Sequence, residues 1–240
     1  MINIDYFRAI QNALGYHTEQ DVSLAEIQRN IRNEMKTSLH YERGVLRNGE
    51  KQNFVITTSE QPTECDILAL PDEELHDGDY IEWNGNVWIV ISTHIANKVQ
   101  IKGKMLLCNL LLRFQHGTSE IHERWAAFDS GVYSTTIGGQ KPLFYPNVQY
   151  KVYMQYDEDT KYLHVDKRFA VDKVYDQFGE EVLSVFRFTA TNDISIKNGN
   201  AHLLLMKAIS DEFNPSSDSL EHMICDYISD DKPKDEEVWY

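Results

Sequence analysis

The chain has 240 residues, and its 38 acidic side chains against 23 lysines and arginines give a formal net charge of −15 at pH 7. Such a charge excludes the usual nucleic-acid binder, whose affinity comes from cations that displace counterions from phosphates, and a polybasic membrane-surface protein. Apolar residues make up 42% and charged residues 25%, as in folded domains rather than disordered chains.

The cysteines and the N-terminus indicate the compartment. Cys65, Cys108 and Cys225 are odd in number and far apart, so we expect buried thiols rather than disulfides or a zinc site. Residues 1–6 lack the basic and apolar regions of a signal peptide. The apolar run Met105–Leu112 is too short to span a bilayer. We therefore expect a protein made in the cytoplasm, with no membrane partner.

Residues 1–40 are predicted to form a helical N-terminal extension. Apolar residues recur at helical spacing from Tyr6 to Leu14, and Gly15 is placed to end that helix. Asp21 or Ser23 can cap a second helix. One face of this second helix carries the apolar residues Leu24, Ile27, Ile31, Met35 and Leu39. Such a face must be buried, either on the chain's own core, which we favour, or on a neighbouring subunit.

Residues 41–229 are predicted to form one antiparallel β core. The dipeptides Asn48-Gly49 and Asn84-Gly85 readily supply the positive φ angles of tight hairpin turns. The second of them joins the predicted strands Tyr80–Trp83 and Val87–Ile91. This hairpin is the clearest pattern in the sequence.

More short strands, separated by Pro, Gly, Asn and Asp, are predicted around this hairpin. Lys98–Lys102 and Met105–Phe114 are expected to be joined by a turn near Gly103. The other predicted strands are Cys65–Leu70, Leu143–Phe144, Val148–Gln155, Tyr162–Val165, Arg168–Tyr175, Val182–Ala190 and Ala201–Ala208. Short strands with tight turns favour a small antiparallel barrel or sandwich, so the predicted fold class is mainly β.

The end of the chain is predicted to contain a short helix and a charged tail. Ser219–Ile228 places four apolar residues on one side of a helix. Residues 230–240 are rich in Asp, Glu and Lys, and we expect them to form a disordered tail.

No motif in the sequence predicts catalysis or a cofactor. Neither a phosphate-binding loop nor a G-x-S-x-G elbow is present. His116 and His122, with Glu120 and Glu123 beside them, are the best local metal candidates, but their spacing of six matches no helical metal motif. A polar loop is the favoured interpretation.

The acidic loop between Tyr156 and Tyr162 is predicted to be a hairpin loop. Asp157 and Asp159 imitate the start of a calcium loop, although the turn glycine and the closing Glu of an EF-hand are missing. We therefore expect solvated carboxylates rather than a calcium site.

The stretch Leu75–Val90 resembles a pattern of tailed-phage and prophage virion proteins, among them head-closure (stopper) and head–tail connector proteins. In these proteins Gly-Asp-hydrophobic followed by Gly-x-x-Trp-hydrophobic-Val forms the core hairpin of a small β-barrel. Lys102–Phe114, Lys167–Asp172 and Phe186–Asn192 also look like structural proteins of phages that infect low-GC Gram-positive hosts.

The resemblance implies a non-enzymatic protein of the virion neck, assembled in the host cytoplasm. It implies a homo-oligomeric ring, commonly twelve-fold, that contacts portal and tail proteins and lines the DNA channel. An acidic lumen would let the genome pass without tight binding. The first interface candidates are Leu24, Ile27, Ile31, Met35, Trp83, Asn84, Gly85, Asn86, Asp157 and Asp159.

Two other functions remain open. A monomeric β-rich module could bind a host or carbohydrate ligand through exposed aromatic rings, although Trp83 and Trp88 are expected to pack across their hairpin instead. A metal-dependent enzyme would use His116, His122 and the neighbouring carboxylates. A concave aromatic patch would favour the binding module, and loss of activity on chelation would favour the metal-dependent enzyme.

Overall fold

The computed structural model describes residues 19–71, 73–96, 99–129, 149–192, 196–197 and 200–229. The helix α1 spans Glu19–Thr37, and a 3₁₀ turn spans Thr160–Tyr162. The strands are β1 Tyr41–Arg47, β2 Glu50–Thr58, β3 Glu64–Ala69, β4 Tyr80–Trp83, β5 Asn86–Ala96, β6 Gln100–Leu107, β7 Leu110–Phe114, β8 His122–Asp129, β9 Tyr150–Gln155, β10 Arg168–Tyr175, β11 Glu181–Asn192, β12 Ile196–Lys197, β13 Asn200–Ala201 and β14 Leu203–Asp211. The predicted mainly β fold is confirmed.

The predicted N-terminal extension, residues 1–40, can be compared with the structure from residue 19 onward. The predicted first helix, from Tyr6 to Leu14, lies outside the described residues, as do Leu143–Phe144 and the tail 230–240. Asp21 and Ser23 lie inside α1 rather than capping it, so that part of the prediction is wrong. Among the residues placed by the structure, no helix is long and apolar enough to cross a membrane.

The first six strands form a closed antiparallel barrel in the order β1-β2-β3-β6-β5-β4. Pairing of β1 with β4 closes it. Both predicted hairpin turns are confirmed: φ is +47° and +86° at Asn48 and Gly49, and +53° and +73° at Asn84 and Gly85. Successive positive φ angles match the twist of the flanking strands. The interior is filled by apolar side chains such as Phe54, which is fully buried.

The predicted turn near Gly103 is wrong, because β6 continues straight through this residue. A Cβ on Gly103 would lie 3.1 Å from a Leu75 side-chain carbon and 3.2 Å from one of Ile67, so glycine serves packing inside the barrel. The chain leaves the barrel after β6, at Cys108-Asn109. There the Asn109 side chain bonds both the N–H and the C=O of Phe128, at 2.7 and 2.9 Å.

The second sheet has six antiparallel strands in the order β10-β11-β14-β9-β8-β7, and its edge strands β7 and β10 lie near each other. Its core is aromatic, with stacked and edge-to-face rings. These rings belong to Phe128, Tyr150, Phe169, Phe186 and Phe188. The sequence predicts no strand where β8 lies, and the segment Tyr162–Val165, predicted to be a strand, instead contains the end of the 3₁₀ turn and the start of a second turn at Val165-Asp166.

The predicted helix over Ser219–Ile228 is wrong. This segment forms turns around an isolated bridge between Ser219 and Ile224. Met223 and Asp226 have φ of +57° and +53°, which no right-handed helix permits. The Asp218 carboxylate, whose side chain is fully buried, accepts the backbone N–H groups of Asn214 and Asp226 and so fixes the segment in this form.

Residues 212–228, which we name the C-terminal clasp, connect the two edge strands of the second sheet. On the β10 side, Arg168 bonds both oxygens of Asp218 at 2.9 Å. Beyond the end of β7, the Gln115 side chain accepts the Ile228 N–H at 2.7 Å and donates to its C=O at 3.0 Å. The clasp also buries Cys225 against Leu183 and neighbouring apolar side chains.

The barrel and the second sheet are joined through an apolar junction. Its buried members are Ile89, Leu106, Cys108, Ala127 and Leu203. At its edge the Tyr80 hydroxyl donates to the Trp125 C=O and accepts the Gln155 N–H. Burial raises the pKa of the Tyr80 hydroxyl, so it stays protonated and keeps donating.

We expect Tyr80→Phe to lower the free energy of unfolding by about 1–3 kcal/mol, because it leaves two backbone groups at the junction without a partner. Urea denaturation followed by tryptophan fluorescence measures this loss. Tyr175→Phe is the matched control, since the Tyr175 side chain is exposed, and it should change stability by less than about 0.5 kcal/mol. Equal effects of the two variants would contradict the role given to Tyr80.

Candidate functional site

The predicted apolar face of α1 is divided between the barrel and solvent. The prediction of its last member, Leu39, is wrong, because this residue lies beyond the helix end at Thr37 and is 99% exposed. Met35 is buried against Val55 and Leu70, and Ile31 is partly buried in the same cluster. Ile27 and Leu24, one and two turns before Ile31, are 47% and 39% exposed. We call Leu24 and Ile27 the open face. The first part of the helix therefore offers apolar surface that the described residues leave uncovered.

The predicted hairpin interface Trp83–Asn86 is at the surface of the barrel. Asn84, Gly85 and Asn86 are exposed, and the Asn86 amide donates to the Asn84 C=O at 3.1 Å. The rings of Trp83 and Trp88 are 5.8 Å apart, and the Trp88 indole N–H donates to the Trp83 C=O at 3.3 Å. The predicted cross-strand packing of the two tryptophans is thus confirmed.

Asp157 and Asp159 are engaged within the molecule. One Asp157 oxygen accepts the N–H groups of Asp159 and Thr160, at 2.9 and 2.8 Å, and the other accepts Arg124 Nε at 2.6 Å. Asp159 pairs with Arg124 and lies 3.3 Å from His122 Nδ1. Burial alone would raise the pKa of Asp157, but the Thr160 N–H and Arg124 outweigh it and lower this pKa. The loop is therefore built around Arg124, a residue that the sequence did not single out.

We expect Arg124→Met to raise the pKa of Asp157 and to cost about 1–3 kcal/mol, because it removes charge-assisted hydrogen bonds from partly buried carboxylates. An NMR titration of the Asp157 carboxyl carbon and a urea denaturation curve measure the two effects. Arg113→Met on the neighbouring strand β7 is the control, as Arg113 pairs with the half-exposed Glu123 at 2.8 Å and should cost at most about 1 kcal/mol. An unchanged Asp157 titration would contradict this description of the loop.

His116 and His122 stack on different rings. His116 lies on Tyr162 with centroids 3.5 Å apart, and His122 lies on Phe114 at 5.6 Å. Across the described residues, no group of three or more His, Cys, Asp or Glu side chains is placed to hold a metal ion. A recess of about 210 Å³ beside His116 is lined mainly by polar groups, including His164 and Lys167.

One exposed feature was missed in the sequence: the tip of the β10–β11 hairpin. Tyr175 and Phe178 are 76% and 80% exposed. The loop is nevertheless held rigidly, because the Asp176 carboxylate accepts the N–H groups of Phe178 and Glu180 at 2.8 and 2.9 Å. We call Tyr175–Glu180 the hairpin tip. The signal that could have found it is an Asp-x-x-Gly turn, Asp176–Gly179, with one aromatic residue directly before it and one inside it, where polar side chains are usual.

Comparison with known proteins does not identify the chain. No family model matches it, and no curated protein matches it. Among solved structures, it is similar to MrkH, a c-di-GMP-dependent transcription regulatory factor, at 12% identity and a TM-score of 0.21, covering 80% of this chain and 83% of that one. At this TM-score the likeness supports no inference about function.

Proposed function

We propose that this chain is a structural protein of a tailed-phage virion, located in the neck, where copies form a ring between the portal and the tail. The sequence support is the resemblance of Leu75–Val90 and the later segments to head–tail proteins. The proposal assigns the chain no catalytic residue and no cofactor.

The structural observation that carries the proposal is the position of the exposed apolar residues. The open face lies on the helix that packs on the barrel, and the hairpin tip lies at an edge of the second sheet. The apolar junction holds these two halves together. Two different exposed apolar surfaces on one subunit favour head-to-tail contacts, and such contacts close into rings when the rotation between subunits permits.

The charge of the chain supports the same role. In a ring of identical copies, a net charge of −15 on each copy makes the electrostatic field around the channel negative. A negative field repels DNA phosphates and disfavours tight binding, so a genome can move through the channel. We therefore propose that genomic DNA passes through the ring without tight binding, and that portal and tail proteins are the stable binding partners.

The test is to locate the chain in mature particles of a phage whose genome encodes it. Peptide mass spectrometry of purified virions should find it in several copies per particle, with the portal protein as the internal standard for copy number. Electron microscopy should place its density, a barrel joined to a six-stranded sheet, at the neck. Mature, infectious particles that lack the chain would overturn the proposal.

The alternative, a monomeric module for a host or carbohydrate ligand, receives no support from the tryptophans. Trp88 is 5% exposed and Trp83 packs against it, so this pair presents no open platform. A monomeric mass by light scattering, together with glycan binding that the Phe178→Ser variant loses, would favour the alternative over the ring.

A further inference from the structure

The recess beside His116 has the composition of a binding site for a small anion. Its volume is about 210 Å³, and the side chains that line it include the imidazoles of His116 and His164 and the amine of Lys167. Among the described residues, no carboxylate belongs to this lining. A protonated lysine or histidine donates hydrogen bonds and accepts none, so these groups fit a ligand that is an acceptor and carries negative charge.

Lys167 has no counter-ion within the described part of the chain. It is partly buried, yet no described carboxylate lies within ion-pair distance of its amine. The acidic turn 157–159 is already occupied, because its carboxylates pair with Arg124 and Lys161. Asp166, directly before Lys167, is exposed and does not pair with it. A partly buried cation that the chain itself leaves without a partner favours an anion from solution.

The loop after β7 adds backbone donors to the same recess. The Gln115 side chain closes this loop by donating to the Ser119 C=O at 2.7 Å. Between them, His116 has a negative φ and Gly117 has φ of +61°, with nothing within 4 Å of an added Cβ. The N–H groups of His116 and Gly117 donate to no described residue. Successive N–H groups in a turn of this kind form a concavity that binds anions.

The walls of the recess are held in place by contacts outside it. The His116 ring lies on the Tyr162 ring with centroids 3.5 Å apart and 13° between the planes. The turn that carries the other two nitrogen groups is closed by the Lys167 N–H, which donates to the His164 C=O at 3.2 Å. The Lys167 C=O in turn accepts the Phe188 N–H of β11 at 3.0 Å. A ligand that binds here therefore orders few groups.

We propose that this recess binds a small tetrahedral oxyanion, phosphate or sulfate, free or as the end of a small molecule. Lys167 and His164 supply its side-chain donors, and the loop after β7 supplies its backbone donors. The volume equals that of several water molecules at about 30 Å³ each, so it admits one such group rather than a stretch of nucleic-acid backbone. The inference goes beyond the neck assignment and does not require it.

NMR of the full chain with labelled histidine side chains measures this binding. Sodium sulfate replaces sodium chloride at constant ionic strength, because sulfate keeps its charge where imidazoles titrate. We expect the ring signals of His116 and His164 to shift and to saturate in the millimolar range, since the exposed Glu120 and Asp166 nearby in sequence limit the affinity. The signal of His94, which is exposed on β5, should stay unchanged.

Lys167→Met is expected to weaken sulfate binding about tenfold, because it removes a charge-assisted hydrogen bond. Lys173→Met is the matched control, since Lys173 lies on β10 and its Nζ is 3.8 Å from Glu181. It should change the dissociation constant by less than about twofold. His164→Gln, at an exposed position, should also weaken binding, and it keeps the test valid if Lys167→Met disturbs the turn.

Inorganic phosphate and glycerol phosphate, titrated in the same way, distinguish the two sources of the anion. Tighter binding of glycerol phosphate would assign the recess to a small phosphomonoester, and tighter binding of inorganic phosphate would assign it to the free ion. The proposal is wrong if sulfate and chloride shift the two ring signals equally, or if His94 responds as strongly as they do. It is also wrong if Lys167→Met and His164→Gln both bind sulfate as the unaltered chain does. None of these results bears on whether virions contain the chain.

Discussion

Replacing Gly78 with alanine is expected to reduce the free energy of unfolding by about 2–5 kcal/mol, through backbone strain and forced separation at the junction. Gly78 has φ of +91°, a region that L-residues rarely adopt. A Cβ there would overlap the backbone carbonyl of His202 and lie 3.0 Å from the Leu203 nitrogen. Because both obstacles are main chain, no side-chain rotation relieves the overlap, and the barrel and the second sheet must move apart.

Gly49→Ala is the matched control for this prediction. Gly49 has nearly the same φ, +86°, but nothing lies within 4 Å of its added Cβ. It should therefore show only the cost of the left-handed backbone, about 1–2 kcal/mol. Urea denaturation monitored by fluorescence and by far-UV circular dichroism compares the two. If Gly78→Ala were no worse than Gly49→Ala, the close approach at His202 would be contradicted.

The second large effect is expected from Arg168→Met. It leaves the Asp218 carboxylate, whose side chain has no exposed surface, without the cation that bonds both its oxygens at 2.9 Å. Removing one partner of a buried pair costs about 3–5 kcal/mol. Arg168 also bonds Asp226 at 3.0 Å and the Glu212 C=O at 2.6 Å, so the clasp should detach from β10 before the sheet unfolds. Amide hydrogen exchange across residues 212–228 measures that detachment.

Arg187→Met controls for the loss of an arginine at the same place in the sheet. Arg187 is the cross-strand partner of Arg168, but its side chain is 42% exposed and its nearest approach to Asp211 is 3.7 Å. Exposed pairs of this kind contribute about 0–1 kcal/mol. A loss of stability in Arg187→Met as large as in Arg168→Met would show that the clasp does not depend on the Asp218 pair.

The Arg168–Asp218 pair predicts that the free energy of unfolding falls at acid pH. Burial alone would raise the pKa of Asp218, but the Asn214 N–H and Arg168 outweigh it and lower this pKa below its ordinary value near 4. A depressed carboxyl pKa contributes stability that is fully present above the unfolded value and is lost as the pH falls through the folded one. Stability should therefore fall below about pH 4. This fall should be shallower in the double variant Arg168→Met/Asp218→Leu, which has no carboxylate to protonate.

Local turn chemistry made most of the first barrel predictable. Asn48-Gly49 and Asn84-Gly85 require φ angles that few other dipeptides supply, so the hairpins follow from the residues themselves. The predicted turn near Gly103 and the predicted helix over Ser219–Ile228 are wrong for the opposite reason. The small size of Gly103 is needed for packing against Leu75 and Ile67, and the Asp218 carboxylate overrides the helical periodicity after Ser219. Leu75 and Ile67 are far from Gly103 in sequence, and Arg168, which pairs with Asp218, lies 50 residues before it.

The candidate surfaces were predictable only in part. The apolar face of α1 was recognised from its period, but its division into packed and open halves depends on where Val55 and Leu70 lie in space. Asp157 and Asp159 were identified as a pair, whereas their partner Arg124 lies on a strand that the sequence did not reveal. The exposure of Tyr175 and Phe178 is not predictable in this way, because periodicity does not report exposure at a hairpin tip.

The order of the strands along the chain has a consequence for biosynthesis. All partners in the first barrel lie between Tyr41 and Leu107, so the barrel can close as soon as this stretch leaves the ribosome. The second sheet has β14 between β9 and β11, and it stays split until residue 211 has been made. A ribosome that pauses after residue 107 and before residue 211 holds a finished barrel followed by strands with unpaired edges, which are prone to aggregate. Protection of the nascent chain by chaperones is therefore needed for about the last hundred residues before the clasp is complete.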